Sequence, residues 1–386
     1  MNQPVVVIQY KKLEYLPPVM ALVQVLKAIG RKVIYVGVES TSGREFLEKN
    51  DIDSRFLPGF NHALYSSHGL VSKVTNRIRR ALAFYPHRRW LRRTLMDIES
   101  EYGELIIWHS EVASAALAGD WCLKRYPKRC LTIYELSDFM GSSWLGFSLR
   151  KCLAKVKLVV PEYNRACILK EYFRLKDQPY VLPNKPYWHP RTTNLAVEPH
   201  IEAVFDRIGN RPVLLYQGVW GPDRRDIALV LETIARERPE YCLLCLPGCE
   251  AVEGLAKRYA NIFSLPRIPA PSHLYVTSRA TVGIAIYNPS GRRLLERLNA
   301  VYCAPNKIYE YSGFGIPILG NNMAGLHAVE EAHAGLLLRS LDKDSILSSV
   351  DRLIMERSDF SAGATRFYES VDLAKEVARI LSSFGG

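Results

Sequence analysis

The residues best placed to do chemistry lie in the segment Ala304-Pro-Asn-Lys-Ile-Tyr-Glu-Tyr-Ser-Gly-Phe-Gly-Ile-Pro-Ile-Leu319. Pro305-Asn306 precedes a helical pattern, and asparagine is a preferred N-cap. Backbone N–H groups of a first helical turn bind phosphate, helped by the positive end of the helix dipole. Lys307 adds a charge at that turn, and Glu310 falls one turn on. A carboxylate there can accept two hydrogen bonds from the cis hydroxyls of a ribose. Gly313 and Gly315 end the helix ahead of an aliphatic strand. Two more strand ends carry suitable residues. In Tyr216-Gln-Gly-Val-Trp-Gly-Pro-Asp-Arg-Arg-Asp226, Gly218 permits close backbone approach. Arg224 and Arg225 there offer guanidinium groups suited to bidentate phosphate binding. Ile284-Ala-Ile-Tyr-Asn-Pro289 ends on Tyr287 and Asn288. An ordinary amphipathic helix and a solvated arginine pair are the competing structural readings.

These segments need a scaffold that presents strand ends. Val5–Gln9, Val33–Val38, Leu105–Trp108, Leu131–Tyr134 and Leu158–Val160 read as buried strands, separated by helical patterns such as 19–29 and 111–125. Proline-rich, aperiodic chain follows Val181 and continues to Pro199. The alternation then restarts: strand Val213–Gln217, helix 226–237, strands Tyr241–Leu246 and Thr281–Ile286, helix 306–314, strand Ile316–Leu319. Over 361–384, Phe367, Val371, Ala374, Val377, Ala378 and Leu381 recur at helical spacing. The pattern predicts an α/β fold of two Rossmann-like doubly wound domains facing a cleft. The first domain spans 1–188, a linker 189–205 and the second domain 206–360. A C-terminal helix over 361–386 is placed to pack back on the first domain. Ligands of such sheets sit beyond the carboxyl ends of the strands, where the residues above fall.

Pro-Asn-Lys-x-Tyr-Glu-Tyr followed by Gly-x-Pro and an aliphatic strand resembles the donor site of bacterial GT-B glycosyltransferases, closest to the family-4-like group that builds surface polysaccharides. The resemblance implies that Asn306 and Lys307 meet a diphosphate and that Glu310 holds the donor ribose. It also implies that Gly218, Arg224 or Arg225, and Tyr287 complete the donor site. Many members carry a second glutamate eight positions earlier, where this chain has Tyr302. Transfer requires a base to take the proton of the acceptor hydroxyl. Ile107-Trp-His-Ser-Glu111 resembles a strand end of the family-4 enzymes and makes His109 and Glu111 candidates. The Tyr-x-x-Ser-Asp pattern ending at Asp138 resembles the xanthan-type glucuronosyltransferase and makes Asp138 the expected base. A helix N-cap is the structural alternative for Asp138.

From Ser54 to Met96 there is no acidic residue but nine basic ones: Arg55, Lys73, Arg77, Arg79, Arg80, Arg88, Arg89, Arg92 and Arg93. Phe84, Tyr85, Trp90 and Leu91 interleave them. Basic residues beside aromatic and aliphatic ones suit an anionic membrane surface. Arg79, Arg80, Arg88, Arg89, Trp90, Arg92 and Arg93 are the expected membrane and acceptor contacts. Residues 1–190 hold 29 Lys and Arg against 17 Asp and Glu, a net of +12, while 191–386 hold 22 of each. The whole excess therefore lies in the first half. No nucleic-acid motif accompanies it, so nucleic acid is not an expected partner.

The start, Met1-Asn-Gln-Pro, lacks the basic n-region of a secretory leader, and no run of 18 apolar residues spans a bilayer. A cytoplasmic protein, peripheral on the inner face of the membrane, is expected. Eight scattered cysteines give no disulfide framework. Cys242 and Cys245 have zinc-like spacing but face opposite sides of a strand, and Asp51-Ile-Asp53 does not follow a buried strand. No metal and no cofactor are expected. The activity that the resemblance implies is transfer of a sugar from a UDP-linked donor to a lipid-linked glycan acceptor. A sugar-nucleotide 2-epimerase of the same fold and a non-catalytic nucleotide-sugar-binding partner are the rival readings.

Overall fold

A computed structural model describes residues 3–59, 70–136, 143–144, 147–186, 198–220, 227–291 and 293–385, without the side chains of 70–83, 143–144 and 147. Aliphatic runs set the strands. β1 (Val5–Lys12) is buried over its first six residues. After α1 (Pro17–Ala28), β2 (Val33–Val38) is buried throughout. Both therefore belong to a sheet covered on two faces. There follow α2 (Thr41–Lys49), β3 (Asp53–Phe56), the long α3 (Leu70–Tyr102), β4 (Ile106–His109), α4 (Val112–Arg125) and β5 (Arg129–Thr132). The antiparallel pair of β6 (Ser143–Trp144) and β7 (Phe147–Ser148) precedes α5 (Leu149–Leu153), β8 (Lys157–Val160), α6 (Tyr163–Phe173) and β9 (Tyr180–Val181). The first sheet is parallel with the order β3-β2-β1-β4-β5-β8-β9.

The second unit runs from Pro183 to Asp372. Its elements are α7 (Pro199–Ile208), β10 (Val213–Gln217), α8 (Ala228–Glu237), β11 (Cys242–Leu246), α9 (Glu250–Arg258), β12 (Ile262–Ser264), α10 (Leu274–Ser278) and β13 (Val282–Ala285). They continue with α11 (Leu294–Val301), α12 (Asn306–Gly313), β14 (Ile318–Asn321), α13 (His327–Glu331), β15 (Gly335–Leu338), α14 (Lys343–Met355) and α15 (Arg357–Glu369). The sheet is parallel in the order β12-β11-β10-β13-β14-β15. From Leu373 the chain belongs to the first unit again, where α16 (Leu373–Ser382) lies against α1. The protein is thus α/β, with two Rossmann-like, doubly wound sheets. Among the described residues, no helix is long and apolar enough to cross a membrane.

Three expectations change. The linker drawn over 189–205 contains the start of α7. Pro199 occupies its first turn, and Ile201, Phe205 and Ile208 bury one face; residues 187–197 lie outside the described residues. The helix drawn over 361–384 is two helices, α15 and α16, interrupted after Glu369. The N-cap of α12 is Pro305, and Asn306 is its first helical residue.

The position of α12 is fixed by its C-terminal cap and by a tyrosine in its last turn. Gly315 (φ +68) closes it: the Gly315 N–H donates to Ser312 O and the Ile316 N–H to Tyr311 O, the paired bonds of a Schellman cap. Within the helix, the fully buried Tyr311 donates its hydroxyl to Leu215 O at 3.0 Å and accepts from the Gln217 N–H at 3.1 Å. Gly283 of β13 makes room for that ring, since a Cβ there would sit 2.2 Å from it. Tyr311→Phe removes one partner each from a buried N–H and a buried C=O. We expect it to lower unfolding free energy by about 1–3 kcal/mol. Guanidinium denaturation measures this, and a change below about 0.5 kcal/mol would show the hydroxyl to be idle.

Candidate functional site

The carboxyl edge of the second sheet gathers the end of β10, the chain after β13, the end of β14 and the start of α12. Strand order reverses between β10 and β13, the place where open α/β sheets hold ligands. Lys307 and Glu310 are 6% and 3% exposed. The Lys307 ammonium lies 4.3 Å from the Tyr216 ring centroid and 5.8 Å from that of Tyr287. Two aromatic faces can thus hold the charge by their quadrupoles at the N-terminal turn of α12. Asn321 fixes the Tyr287 backbone: its Oδ1 accepts from the Tyr287 N–H at 3.0 Å and its Nδ2 donates to Tyr287 O at 2.7 Å. Gly218 has φ +135, a conformation side chains rarely adopt, and its N–H donates to Leu246 O at 2.7 Å.

Glu310 is held from two sides. Its Oε1 lies 3.2 Å from His273 Nε2, and its Oε2 accepts from Gln217 Nε2. The Thr277 hydroxyl donates to Gln217 Oε1 at 2.7 Å. Sequence reasoning found Lys307, Glu310, Tyr287 and Gly218, and the structure brings these to one edge with half-buried Asn306. It missed Gln217, His273 and Thr277, which no local pattern announces. Arg224 and Arg225 lie outside the described residues.

The first unit places His109 and Glu111 at the end of β4, beside the end of β1 at its own order reversal. Glu111 Oε1 accepts from the Tyr10 N–H at 2.7 Å, and Oε2 lies 3.2 Å from Lys11 Nζ. Burial pushes the Glu111 carboxyl above its ordinary range, opposed by Lys11 and the Tyr10 N–H. His109 is 1% exposed and held down to about 3, first by burial and then by the charge of Arg129. Its imidazole stays neutral at ordinary pH, which suits hydrogen bonding better than proton abstraction. His109 Nδ1 finds no hydrogen-bond partner among the described residues. Beside them, Tyr10 and His87 share a bond of 2.9 Å between the phenol oxygen and Nδ1, and His87 Nε2 lies 3.0 Å from Pro58 O. A carbonyl only accepts, so Nε2 carries the proton and Nδ1 accepts from Tyr10. Asp138, the expected base, lies outside the described residues.

The basic residues of α3 divide by role. Arg79 and Arg80 belong to the helix, but their side chains lie outside the described ones. Arg88 turns inward: Nε donates to Leu117 O at 3.1 Å and Nη2 to Ala116 O at 2.8 Å. Those carbonyls precede the break in α4 at Gly119 (φ +65, ψ −172), so the guanidinium satisfies groups that the interrupted helix leaves over. Its place among the membrane contacts is corrected accordingly. Arg89, Arg92 and Arg93 are exposed, as are Tyr85 and Met96, while Trp90 is half-buried. The Arg92 guanidinium lies 4.8 Å from the Trp121 ring centroid. The Asp51 and Asp53 carboxylates are paired with Lys27 and Lys32. Cys242 and Cys245 belong to the cores on opposite faces of the second sheet.

No protein-family model and no curated protein matches this sequence. Solved structures do match its fold. Anabaena HepE, in complex with UDP and glucose, is similar with a TM-score of 0.66 over 100% of both chains at 11% identity. Sucrose-phosphate synthase from Thermosynechococcus elongatus is similar at 0.64, covering 100% of this chain and 98% of that one at 14% identity. UDP-GlcNAc 2-epimerase from Neisseria meningitidis, bound to UDP-GlcNAc, is similar at 0.59, covering 99% and 100% at 12% identity. At these identities the likeness is one of fold, and that fold is the two-unit GT-B architecture.

The contrast within α3 is measurable. Arg88→Met leaves buried carbonyls without their charged donor and should lower stability by about 1.5–3 kcal/mol. Arg89→Met and Arg93→Met, on the exposed face, should change it by less than about 0.5 kcal/mol. Equal effects in urea titrations would contradict the division.

Proposed function

We propose that this protein is a glycosyltransferase. It moves a sugar from a nucleoside-diphosphate donor, UDP-linked by its resemblance to family-4-like enzymes, to a glycan on a polyprenyl diphosphate at an anionic membrane surface. The reaction serves surface polysaccharide synthesis and uses no metal ion. The observation that carries this reading is the pair of buried charged side chains, Lys307 and Glu310, on successive turns of α12 at the carboxyl edge of the second sheet. A helix N-terminus with a lysine suits a diphosphate, and a carboxylate one turn on suits a ribose.

In the transfer step the acceptor hydroxyl loses its proton to a carboxylate. Its oxygen bonds to the anomeric carbon as the bond to the diphosphate oxygen breaks. Asp138 is the proposed base, as its resemblance to the xanthan-type enzyme suggests. Glu111 and neutral His109 are proposed to bind sugar hydroxyls. Lys307, the first N–H groups of α12 and Arg224 or Arg225 would stabilise charge on the leaving diphosphate. Asn306, Gly218 and Tyr287 would shape the donor pocket. The exposed Arg89, Arg92 and Arg93, with Arg79, Arg80 and Trp90, would hold the protein to the inner face of the membrane.

Thermal-shift screening with UDP, GDP, ADP and their sugars identifies the donor. Glu310→Gln should weaken the stabilising nucleotide about tenfold or more. Asp138→Asn should retain nucleotide affinity while sugar transfer to the acceptor, read as acceptor-dependent release of nucleoside diphosphate, falls by about 10²–10⁴-fold; near-normal turnover would remove Asp138 as base. The fold is shared with a 2-epimerase, so nucleotide sugar is also incubated alone. Epimerised product would replace the transferase reading, and binding without turnover over any acceptor would mark a non-catalytic partner.

Membrane attachment has its own test. The protein should float with phosphatidylserine vesicles at low salt and sink at high salt. The triple variant R89E/R92E/R93E should sink in both, and failure of the unaltered protein to float would end the membrane reading.

A further inference from the structure

Glu310 differs from an open ligand-binding carboxylate in one respect: protein donors already occupy part of it. A carboxylate has about four lone-pair sites. In this structure His273 Nε2 meets Oε1 at 3.2 Å, and Gln217 Nε2 donates to Oε2. One site on each oxygen is left, the number a cis diol requires. Each donor is itself fixed. The carboxylate repels the Gln217 amide oxygen and so selects the orientation with Nε2 towards Glu310. Gln217 Oε1 then faces Thr277, whose hydroxyl donates to it at 2.7 Å. The Gln217 backbone N–H is tied to the Tyr311 hydroxyl at 3.1 Å, one residue along α12 from Glu310. His273 is 8% exposed and immediately precedes α10, the helix that also carries Thr277. Gln217, Thr277, His273 and Glu310 thus form a closed set drawn from β10, α10 and α12.

We infer that Gln217 and His273, with Thr277 behind Gln217, are positioning residues that aim Glu310 at the ribose diol and make the site selective for ribonucleotides over their 2′-deoxy counterparts. The inference rests on the donor-site reading above and deepens it. A carboxylate free to rotate would follow whichever hydroxyl remained after loss of the 2′ group. A carboxylate clamped on both oxygens cannot, so the missing hydroxyl leaves a lone pair without a partner. Discrimination therefore belongs to the clamp as much as to the carboxylate.

The test is the ratio of dissociation constants, by titration calorimetry, for a ribonucleoside diphosphate and its 2′-deoxy form, with UDP, GDP and ADP taken in turn and inorganic pyrophosphate as the phosphate-only probe. The unaltered protein should favour the ribonucleotide about tenfold. His273→Ala should bring the ratio towards unity while pyrophosphate affinity stays unchanged, and His273→Gln, which keeps an N–H donor, should restore it. Thr277→Val, nearly isosteric, should lower the ratio without disturbing the fold. An unchanged ratio in cooperatively folding His273→Ala and Thr277→Val would overturn the inference. So would parallel loss of pyrophosphate binding, which marks a structural role only, or an unaltered protein that binds both sugars alike. An unaltered protein that binds none of the three ribonucleotides would instead overturn the donor-site reading, and the inference with it.

Discussion

A carboxylate taken out of water costs several kcal/mol unless donors replace its hydration. Glu310 is 3% exposed, so the geometry around it is constrained from the start. Gln217 must present its amide nitrogen, α10 must bring His273 within reach, and α12 must stand where both can meet it. The last requirement explains the investment in placing α12. The Tyr311 hydroxyl ties the helix to two backbone groups of β10, and Gly283 gives up a side chain so that the ring can lie on β13. The Schellman cap at Gly315 then turns the chain sharply into β14. One buried charge thus accounts for a tyrosine, two glycines, a glutamine and a histidine scattered over about a quarter of the chain.

The first unit meets the same constraint differently. Glu111 also sits at a reversal of strand order, at the end of β4, and is also buried. Its donors come from β1: the Tyr10 N–H and the Lys11 ammonium. One is a backbone group and the other reaches solvent, so this carboxylate is less firmly clamped. Burial outweighs the donors and its affinity for a proton rises. His109, two residues earlier and without a counter-charge, goes the other way and remains neutral. Two groups at one strand end are therefore pushed in opposite directions, each towards its uncharged form.

This split follows what a sequence can and cannot display. Val5–Ile8 and Val213–Gln217 advertised themselves as buried strands because covered parallel strands need apolar residues on both faces. Lys307 and Glu310 were legible because they share two helical turns with a strand directly behind them. The clamp on Glu310 was not. His273 and Gln217 lie 37 and 93 positions away, and only the folded sheet makes them neighbours. Other differences have local causes. Proline tolerates the extended backbone of an N-cap, so Pro305 took the place given to Asn306. Ile201, Phe205 and Ile208 carried the period of α7, but prolines on the approach at 183, 186 and 190 masked it. Val371 continued the apolar period across the interruption between α15 and α16, so two helices read as one.

The charge run of α3 shows why composition alone misassigns individual residues. Successive helical residues differ by about 100° around the axis. Arg89 and Arg93 stand one turn apart on the solvent side, whereas Arg88 points towards the side of Phe84 and Leu91, which are 1% exposed. There its guanidinium lies 4.9 Å from the Phe84 ring centroid and meets the carbonyls freed by the break at Gly119. The break needs a donor because an interrupted helix leaves carbonyls without amides. It needs a glycine because the backbone there is left-handed. An arginine on one helix and a glycine on another are thus a single structural device. Removing it from the count of basic surface residues leaves Arg89, Arg92 and Arg93 with Tyr85 and Met96, a narrower stripe in which cationic and apolar side chains share one exposed face. That combination, rather than net charge, is what an interfacial surface requires.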